Sequence, residues 1–486
     1  MKSTKPYWNT LILPTLLLVF GSACTKTSNE LENGKARLEN EIRGQVKFLE
    51  EQENLSSIKD KMVDYKIPAL SLAVISQGKI AWTETYQNEN FEQQPKLDCT
   101  SIFQAASLSK PVTFLAALRM HAEGKIDLDK NIQEYLKEFV LPAGQQTPDN
   151  PVTFRNIFSH TSGISPGGYQ GYERTHEMPT DLNVLRGSTG VNTSPIEVVS
   201  APNEMLAYSG GGYTLAELAL QDIFKDEFSN IMKEWILEPA RMKNAEFTQP
   251  LPESEIHRVA KGYSQSGDLI EGGWRNHPEQ AAAGLWSNST DLAKFLIEIY
   301  NAYQGHSSIF SASDIKTILS HERDGHVYGF IVNRSENDIS LTHYGGNVGY
   351  RTGMTISLTS GNGLVYLINS DNGGALGNEL LLSASQIYDW QHFKQTEAKR
   401  KPIDSSVLKE LSGKYKWNDQ VDLSIAFNED KNQISLFFPN GDEYELVPIV
   451  GDELGFIHGN TGIQVSFTND AEKPSFMLYG QAAVKL

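Results

Sequence analysis

From Val421 onward the apolar residues fall on alternate positions: Val421, Leu423, Ile425 and Phe427, then Ile434, Leu436 and Phe438. A period of two belongs to half-buried antiparallel strands, and no helix can gather such a set on one face. Turn-forming residues separate the runs, at 428–432 and at Asn440-Gly441-Asp442, as hairpins require. The pattern predicts a small antiparallel β-domain over 403–486. Before it, the polar and basic stretch 396–402 ends in Pro402 and reads as a linker. A chain of 486 residues is too long for one ordinary core, so residues 51–395 must build a second and larger one.

Within that larger part, the apolar run Ala69 to Ile75, the turn Gln77-Gly78 and the second run Lys79 to Trp82 predict a hairpin. Leu38, Ile42, Val46, Leu49, Ile58 and Met62 recur at near-helical spacing and predict one or two amphipathic helices. Ser107 to Glu123 is rich in Ala, Leu and Phe and stops at Gly124, the residue type that closes helices in the left-handed region, so a buried helix is expected. Residues 142–202 are dense in Gly, Pro, Thr and Asn and read as surface loops around a site. Strand-like runs return at 328–332, 350–358 and 363–368, and a helix is expected over 380–390.

The N-terminus carries Lys2 and Lys5, an apolar stretch from Leu11 to Phe20, then Gly21-Ser22-Ala23-Cys24. That order is an export signal, with an apolar core too short for a stable span. Because it ends at a cysteine it resembles a bacterial lipoprotein signal, which makes residues 1–24 a signal peptide and Cys24 the lipidated residue. A lipid there would anchor the chain to a membrane through buried methylenes, and would make it an exported, periplasm-facing cell-envelope lipoprotein. Residues 25–50 follow as a tether and the start of a helix. Cys99 is the only other cysteine and reads as a small buried hydrophobe. The net charge of −18 excludes a phosphate-backbone partner, which needs a concentrated basic face.

The chemistry begins with a serine three residues before a lysine. This spacing occurs at Ser56, Ser76, Ser107, Ser313 and Ser406, so it identifies nothing by itself. Only Ser107 stands between an apolar lead-in, Ile102 to Ala106, and a long apolar helix, which places Lys110 one turn along the same face. The free amides at a helix N-terminus favour the negative oxygen that forms when a serine attacks a carbonyl. A serine hydroxyl also needs a neighbour to accept its proton.

Five local patterns occur in one order: Phe103 to Lys110 (FQAASLSK), Ile157 to Gly163 (IFSHTSG), Tyr208-Ser209-Gly210, Ala282 to Phe295 (AAGLWSNSTDLAKF) and His343-Tyr344-Gly345. With them the chain resembles the penicillin-binding-protein and class C β-lactamase family, whose members include DD-peptidases, D-aminopeptidases and esterases. The resemblance implies an α/β (α+β) fold, an antiparallel sheet flanked by helices with a helical subdomain. It implies Ser107 as acylated nucleophile, Lys110 as its partner, and Tyr208 as proton acceptor for the serine and donor to the leaving group. Holding a free phenol as phenolate at neutral pH costs about 4 kcal/mol, so a positive field from Lys110 is expected to offset it. His343, Tyr344, Gly345 and Gly346 are implied as the substrate-binding strand, with the amides of Gly346 and Ser107 as oxyanion hole. Leu411-Ser412-Gly413-Lys414-Tyr415 resembles the opening of the lipocalin-like barrels appended to some of these hydrolases.

The implied substrates are small esters, β-lactams or D-amino-acid peptides, with no cofactor and no metal; the eleven histidines show no HExxH spacing. His343 stands where β-lactamases commonly carry Lys and would charge only below about pH 6.5, making substrate recognition pH dependent. His160 is expected to stabilise its loop. Gly210 replaces the family's asparagine, and Tyr344 is bulky where small residues are usual. Both departures lower the expected β-lactamase activity, and they leave open a catalytically lapsed cell-envelope binding protein of the same fold.

Overall fold

The computed structural model describes residues 21–418, 421–439, 441–468 and 474–486, with side chains from residue 31. The apolar core of the expected signal peptide and most of its length lie outside the described residues, as does the side chain of Cys24.

A seven-stranded sheet, antiparallel throughout its pairings, organises the larger part. Its strands in chain order are β1 (Ala69–Ser76), β2 (Lys79–Gln87), β3 (His326–Val327), β4 (Phe330–Arg334), β5 (Ile339–Asn347), β6 (Tyr350–Ser357) and β7 (Gly363–Ile368), in the spatial order β3-β4-β5-β6-β7-β1-β2. The β1–β2 turn is the expected one, with Gln77 and Gly78 both at positive φ, as a two-residue hairpin demands. β1 is apolar almost without a break because both faces of the sheet are covered. Leu70, Leu72 and Val74 meet the helices α1 (Gly21–Asn40), α2 (Ile58–Asp64) and α6 (Gly373–Ile387). Ala69, Ala73 and Ile75 belong to the opposite core, built with α3 (Ser109–Ala122), α4 (Gly210–Phe224) and α5 (Ser289–Tyr303).

Three expectations are corrected. The segment read as a tether, from Thr25, is helical within α1. Val46 is not on a helix: Val46–Phe48 pairs in parallel with Thr396–Ala398, inside the stretch read as linker. Cys99 is exposed rather than buried, because it sits in the turn that follows Asp98, whose carboxylate accepts from the Thr100 amide at 2.8 Å.

The C-terminal residues close an eight-stranded antiparallel barrel, from Gly413–Lys416 to Gln481–Lys485, these two strands pairing with each other. Leu423, Ile425, Ile434 and Leu436 point into its core with Tyr415, Phe456 and Phe476, while Val421, Phe427 and Phe438 stay partly exposed. The period-two alternation thus marks the inner face of a closed sheet.

Candidate active site

Ser107 sits in a 3₁₀ turn, Ala106–Leu108, that feeds directly into α3. Ala106 has φ +52°, a left-handed conformation that costs an alanine of order 1 kcal/mol and persists only when its surroundings enforce it. They do so from three sides. The Ala105 amide donates to the Leu285 carbonyl at 2.8 Å, and the Thr352 hydroxyl of β6 donates to the Ala105 carbonyl at 3.0 Å. The buried Ser109 hydroxyl donates to the Ala106 carbonyl at 2.6 Å and accepts from the Leu285 amide at 3.0 Å. Ser107 remains partly exposed while its neighbours Ala106 and Leu108 are buried. Neither the strain at Ala106 nor the tie made by Ser109 carries a sequence signal of its own.

Lys110 follows one helical turn later, as its spacing predicts, and is only 2 % exposed. Its ammonium donates to the Ala282 carbonyl at 2.8 Å and stands 3.4 Å from Ser107 Oγ. It lies over the ring of Tyr208 at 4.7 Å and that of Tyr213 at 5.7 Å. Among the described residues no carboxylate lies within ion-pair distance of it, so its charge acts on the serine hydroxyl and the two aromatic faces.

Tyr208 is 44 % exposed and is held from beneath by His160, whose ring packs against it with centroids 4.4 Å apart and planes tilted by 32°. His160 Nδ1 accepts from the Ser209 amide at 3.1 Å, and its carbonyl accepts from the Ala207 amide at 2.8 Å. Burial first, then the nearby Lys110 charge, hold His160 well below the ordinary histidine range. It is therefore the neutral acceptor that this geometry needs. Ser209 caps α4 by accepting from the Gly212 amide at 2.8 Å. Gly210 has no room for a side chain: a Cβ there would lie 2.9 Å from the Tyr169 ring and 3.0 Å from the Gly167 carbonyl. Tyr169 thus occupies the space beside position 210, an arrangement that no local pattern foretells.

On the other side of Ser107 runs β5. Its pairing with β4 ends at Thr342, so His343 to Asn347 form an edge on that side, backed by β6 on the other. The strand comes as close as backbone can. A Cβ on Gly345 would lie 2.4 Å from Thr352 Oγ1, 2.8 Å from the Ala105 carbonyl and 3.0 Å from the Ser107 amide nitrogen. Gly346 is not so confined, since its Cβ would meet only the Arg351 side chain, at 3.5 Å or more. Tyr344 is 38 % exposed, with its phenol pushed up to about 12 by burial of the hydroxyl end. His343 is buried, and burial followed by the Lys110 charge pushes it down to about 3. The expected switch near pH 6.5 is thereby corrected: His343 is neutral throughout the physiological range.

Behind the site lies a buried polar group that the motifs did not reveal. Glu217 on α4 and His277 and Glu279 ahead of the AAGLW segment are all fully enclosed. One Glu217 oxygen, both ring nitrogens of His277 and both oxygens of Glu279 lack hydrogen-bond partners. Burial raises both carboxyls, Glu279 to about 8, and lowers His277 to about 3. In the sequence, His277 and Glu279 two residues apart were the only available signal. Among the described residues no set of three or more His, Cys, Asp or Glu side chains could hold a metal ion.

A strained serine turn, a buried lysine one turn on and an open strand edge together define the kind of site used for acyl transfer through serine. The sequence matches the Beta-lactamase family over residues 55–386, and the chain belongs to that family of hydrolases. It is 22 % identical over 424 residues to Penicillin-binding protein 4* of Bacillus subtilis (strain 168), covering 83 % of this chain and 90 % of that protein. Protein flp of Staphylococcus aureus (strain MW2) is 22 % identical over 275 residues, covering 56 % of this chain and 54 % of flp. The fold is shared with the octameric penicillin-binding protein homologue from Pyrococcus abyssi, at TM-score 0.57 and 20 % identity over 88 % of this chain and 98 % of that one. It is also shared with D-amino acid amidase from Ochrobactrum anthropi SV3, at TM-score 0.53 and 20 % identity over 68 % and 98 %.

Proposed function

We propose that this chain is a serine hydrolase that forms an acyl-enzyme at Ser107 on small amides or esters, D-amino-acid peptides and amides among them, with weak turnover of β-lactams. The observation that carries the reading is the placement of Lys110, 3.4 Å from Ser107 Oγ and 4.7 Å above the Tyr208 ring. The ammonium there is in contact with both the nucleophile's hydroxyl and the aromatic face of Tyr208, so its charge bears on both groups that must exchange the proton. In the proposed sequence the Ser107 proton passes toward Tyr208 as Oγ attacks the acyl carbon. Tyr208 then returns a proton to the leaving amine or alcohol, and water hydrolyses the ester formed at Ser107. The edge amides of β5 and the amide of Ser107 would receive the oxyanion, and Gly345 is what lets them converge.

The relatives support the substrate class: one solved neighbour is a D-amino acid amidase complexed with L-phenylalanine amide, and another is a β-lactamase/D-alanine carboxypeptidase from Yersinia pestis. We further propose that the chain is exported and lipidated at Cys24. Globomycin treatment or Cys24→Ala should then change the mass of the mature N-terminus. For the catalytic reading, intact mass is measured after incubation with a fluorescent penicillin or a fluorophosphonate. One adduct is expected on the wild type and none on Ser107→Ala. The lapsed binding-protein reading requires no adduct on either.

A further inference from the structure

The ammonium of Lys110 owes its orientation to a carbonyl, and that carbonyl belongs to a short turn, Gln280–Ala283. The turn is held from several directions. Asn347, at the end of β5, donates to the Ala283 carbonyl at 3.2 Å, and Thr113 of α3 donates to the Ala281 carbonyl at 3.4 Å. The amide of Ala281 donates to Glu217 Oε2 at 2.8 Å, and both residues are buried. Glu217 lies on α4, whose N-cap Ser209 directly follows Tyr208, so one helix carries the tyrosine element and reaches under the lysine from behind. An unbroken path of contacts therefore runs from Glu217 to the Ala281 amide, across one peptide unit to the Ala282 carbonyl, on to Lys110 Nζ and to Ser107 Oγ.

We propose that Glu217 is a positioning residue for the Ser107 site, holding the Gln280–Ala283 turn so that the Ala282 carbonyl aims the Lys110 ammonium at Ser107 Oγ. The assignment rests on the hydrolase reading above. A buried acid is a costly way to satisfy one amide, and in a helix core an apolar residue would otherwise be expected. Burial first and then Asp181, on the short helix Asp181–Arg186, push the pKa of Glu217 up, the Ala281 amide opposes them, and Glu279 pushes it up further. A glutamine has the same shape and the same accepting oxygen. A methionine has nearly the same volume and no such acceptor.

The test compares Glu217→Gln and Glu217→Met with the unmutated chain in the rate and saturation of Ser107 modification by a fluorophosphonate, each alongside a melting curve. Glu217→Met is expected to lower the limiting rate by about 10- to 100-fold, the scale of a misplaced catalytic group, with the half-saturating concentration within about threefold. Glu217→Gln is expected to recover the rate to within about threefold even if its Tm differs from that of the wild type. A rate for Glu217→Met within threefold of wild type overturns the proposal. So does a Glu217→Gln rate as low as that of Glu217→Met. Should the methionine variant not fold, hydrogen exchange of the Ala281 amide in the unmutated chain decides: protection is expected, and exchange at the rate of an open loop overturns the assignment. If the wild type itself forms no adduct, it is the hydrolase reading that fails, independently of Glu217.

Discussion

Gly345→Ala is the substitution whose effect follows most directly from the geometry. The added methyl would sit 2.8 Å from the Ala105 carbonyl, 3.0 Å from the Ser107 nitrogen and 2.4 Å from Thr352 Oγ1, whereas ordinary contact begins at 3.4 Å. Thr352 can rotate only by giving up its bond to the Ala105 carbonyl, and the other two atoms are backbone of the serine turn itself. The strand and the turn must therefore separate by roughly half an ångström, at a place where close packing leaves no slack. Overpacking of this kind costs about 1–3 kcal/mol, or a fall in Tm of about 2–6 °C for a large domain. Because the displaced atoms include the Ser107 amide, acylation should suffer more than stability does. A shift approaching 1 Å costs about 100-fold in rate. Gly346→Ala supplies the control for stability, since its methyl meets only the flexible end of Arg351 and its Tm should stay within about 1 °C, the small effect typical of a tolerated site. The assay is a melting curve and the second-order rate of fluorophosphonate labelling for each variant. If Gly345→Ala melts with the wild type and labels within threefold of its rate, the close approach of β5 to the serine turn does not exist in solution.

The kcat/KM profile between pH 5 and 8 should show no inflection that His343→Gln removes, because the native group titrates at about 3; an inflection near 6.5 lost in the variant would contradict its burial. Lys110→Met should slow adduct formation by at least about 100-fold, the scale of a lost electrostatic contact to the reacting groups, and labelling at the wild-type rate would remove the lysine from the mechanism. His160→Phe keeps a ring against Tyr208 but leaves the Ser209 amide without its acceptor, at a cost of about 1–3 kcal/mol by calorimetry. Glu279 is raised to about 8 in the native state from a carboxyl's usual value near 4.3. Its contribution to stability is therefore complete at low pH and is lost as pH rises through 8, at up to about 1.4 kcal/mol per unit. Glu279→Gln should flatten that loss between about pH 5 and 8, the interval between the unfolded and native values, and an unchanged slope would place the carboxyl in water.

Much of the scaffold could be read from sequence because its signals are local. The β1–β2 hairpin is written in an apolar run around Gln77-Gly78, α3 in its composition and Gly124, and the barrel in its alternation. The positions of Ser107 and Lys110 on one face followed from helix geometry alone. What stayed hidden depends on neighbours distant in the chain. Ala106 takes a left-handed backbone only because Leu285, Thr352 and Ser109 hold both sides of it. Val46 falls in a near-helical apolar spacing, yet Val46–Phe48 is a strand because its partner, Thr396–Ala398, arrives from the stretch read as linker. The low pKa of His343 is a property of its burial beside Lys110, and no pattern around position 343 encodes that. Nothing in the sequence near Glu217 points to the Ala281 amide, 64 residues away, which only the fold brings to it.

The central sheet also sets the order in which this chain can be assembled. β1 finds its inner neighbour only in β7, and the Ala69 amide is bonded to the Asn369 side chain, 300 residues further on. At a synthesis rate of about 5–20 residues per second, the first hairpin waits about 15–60 s with an unpaired, apolar edge. The hydrolase core therefore cannot close until its ribosome has passed β7. The export proposed above would gain from that delay, since a core completed late leaves the polypeptide threadable while it crosses the membrane.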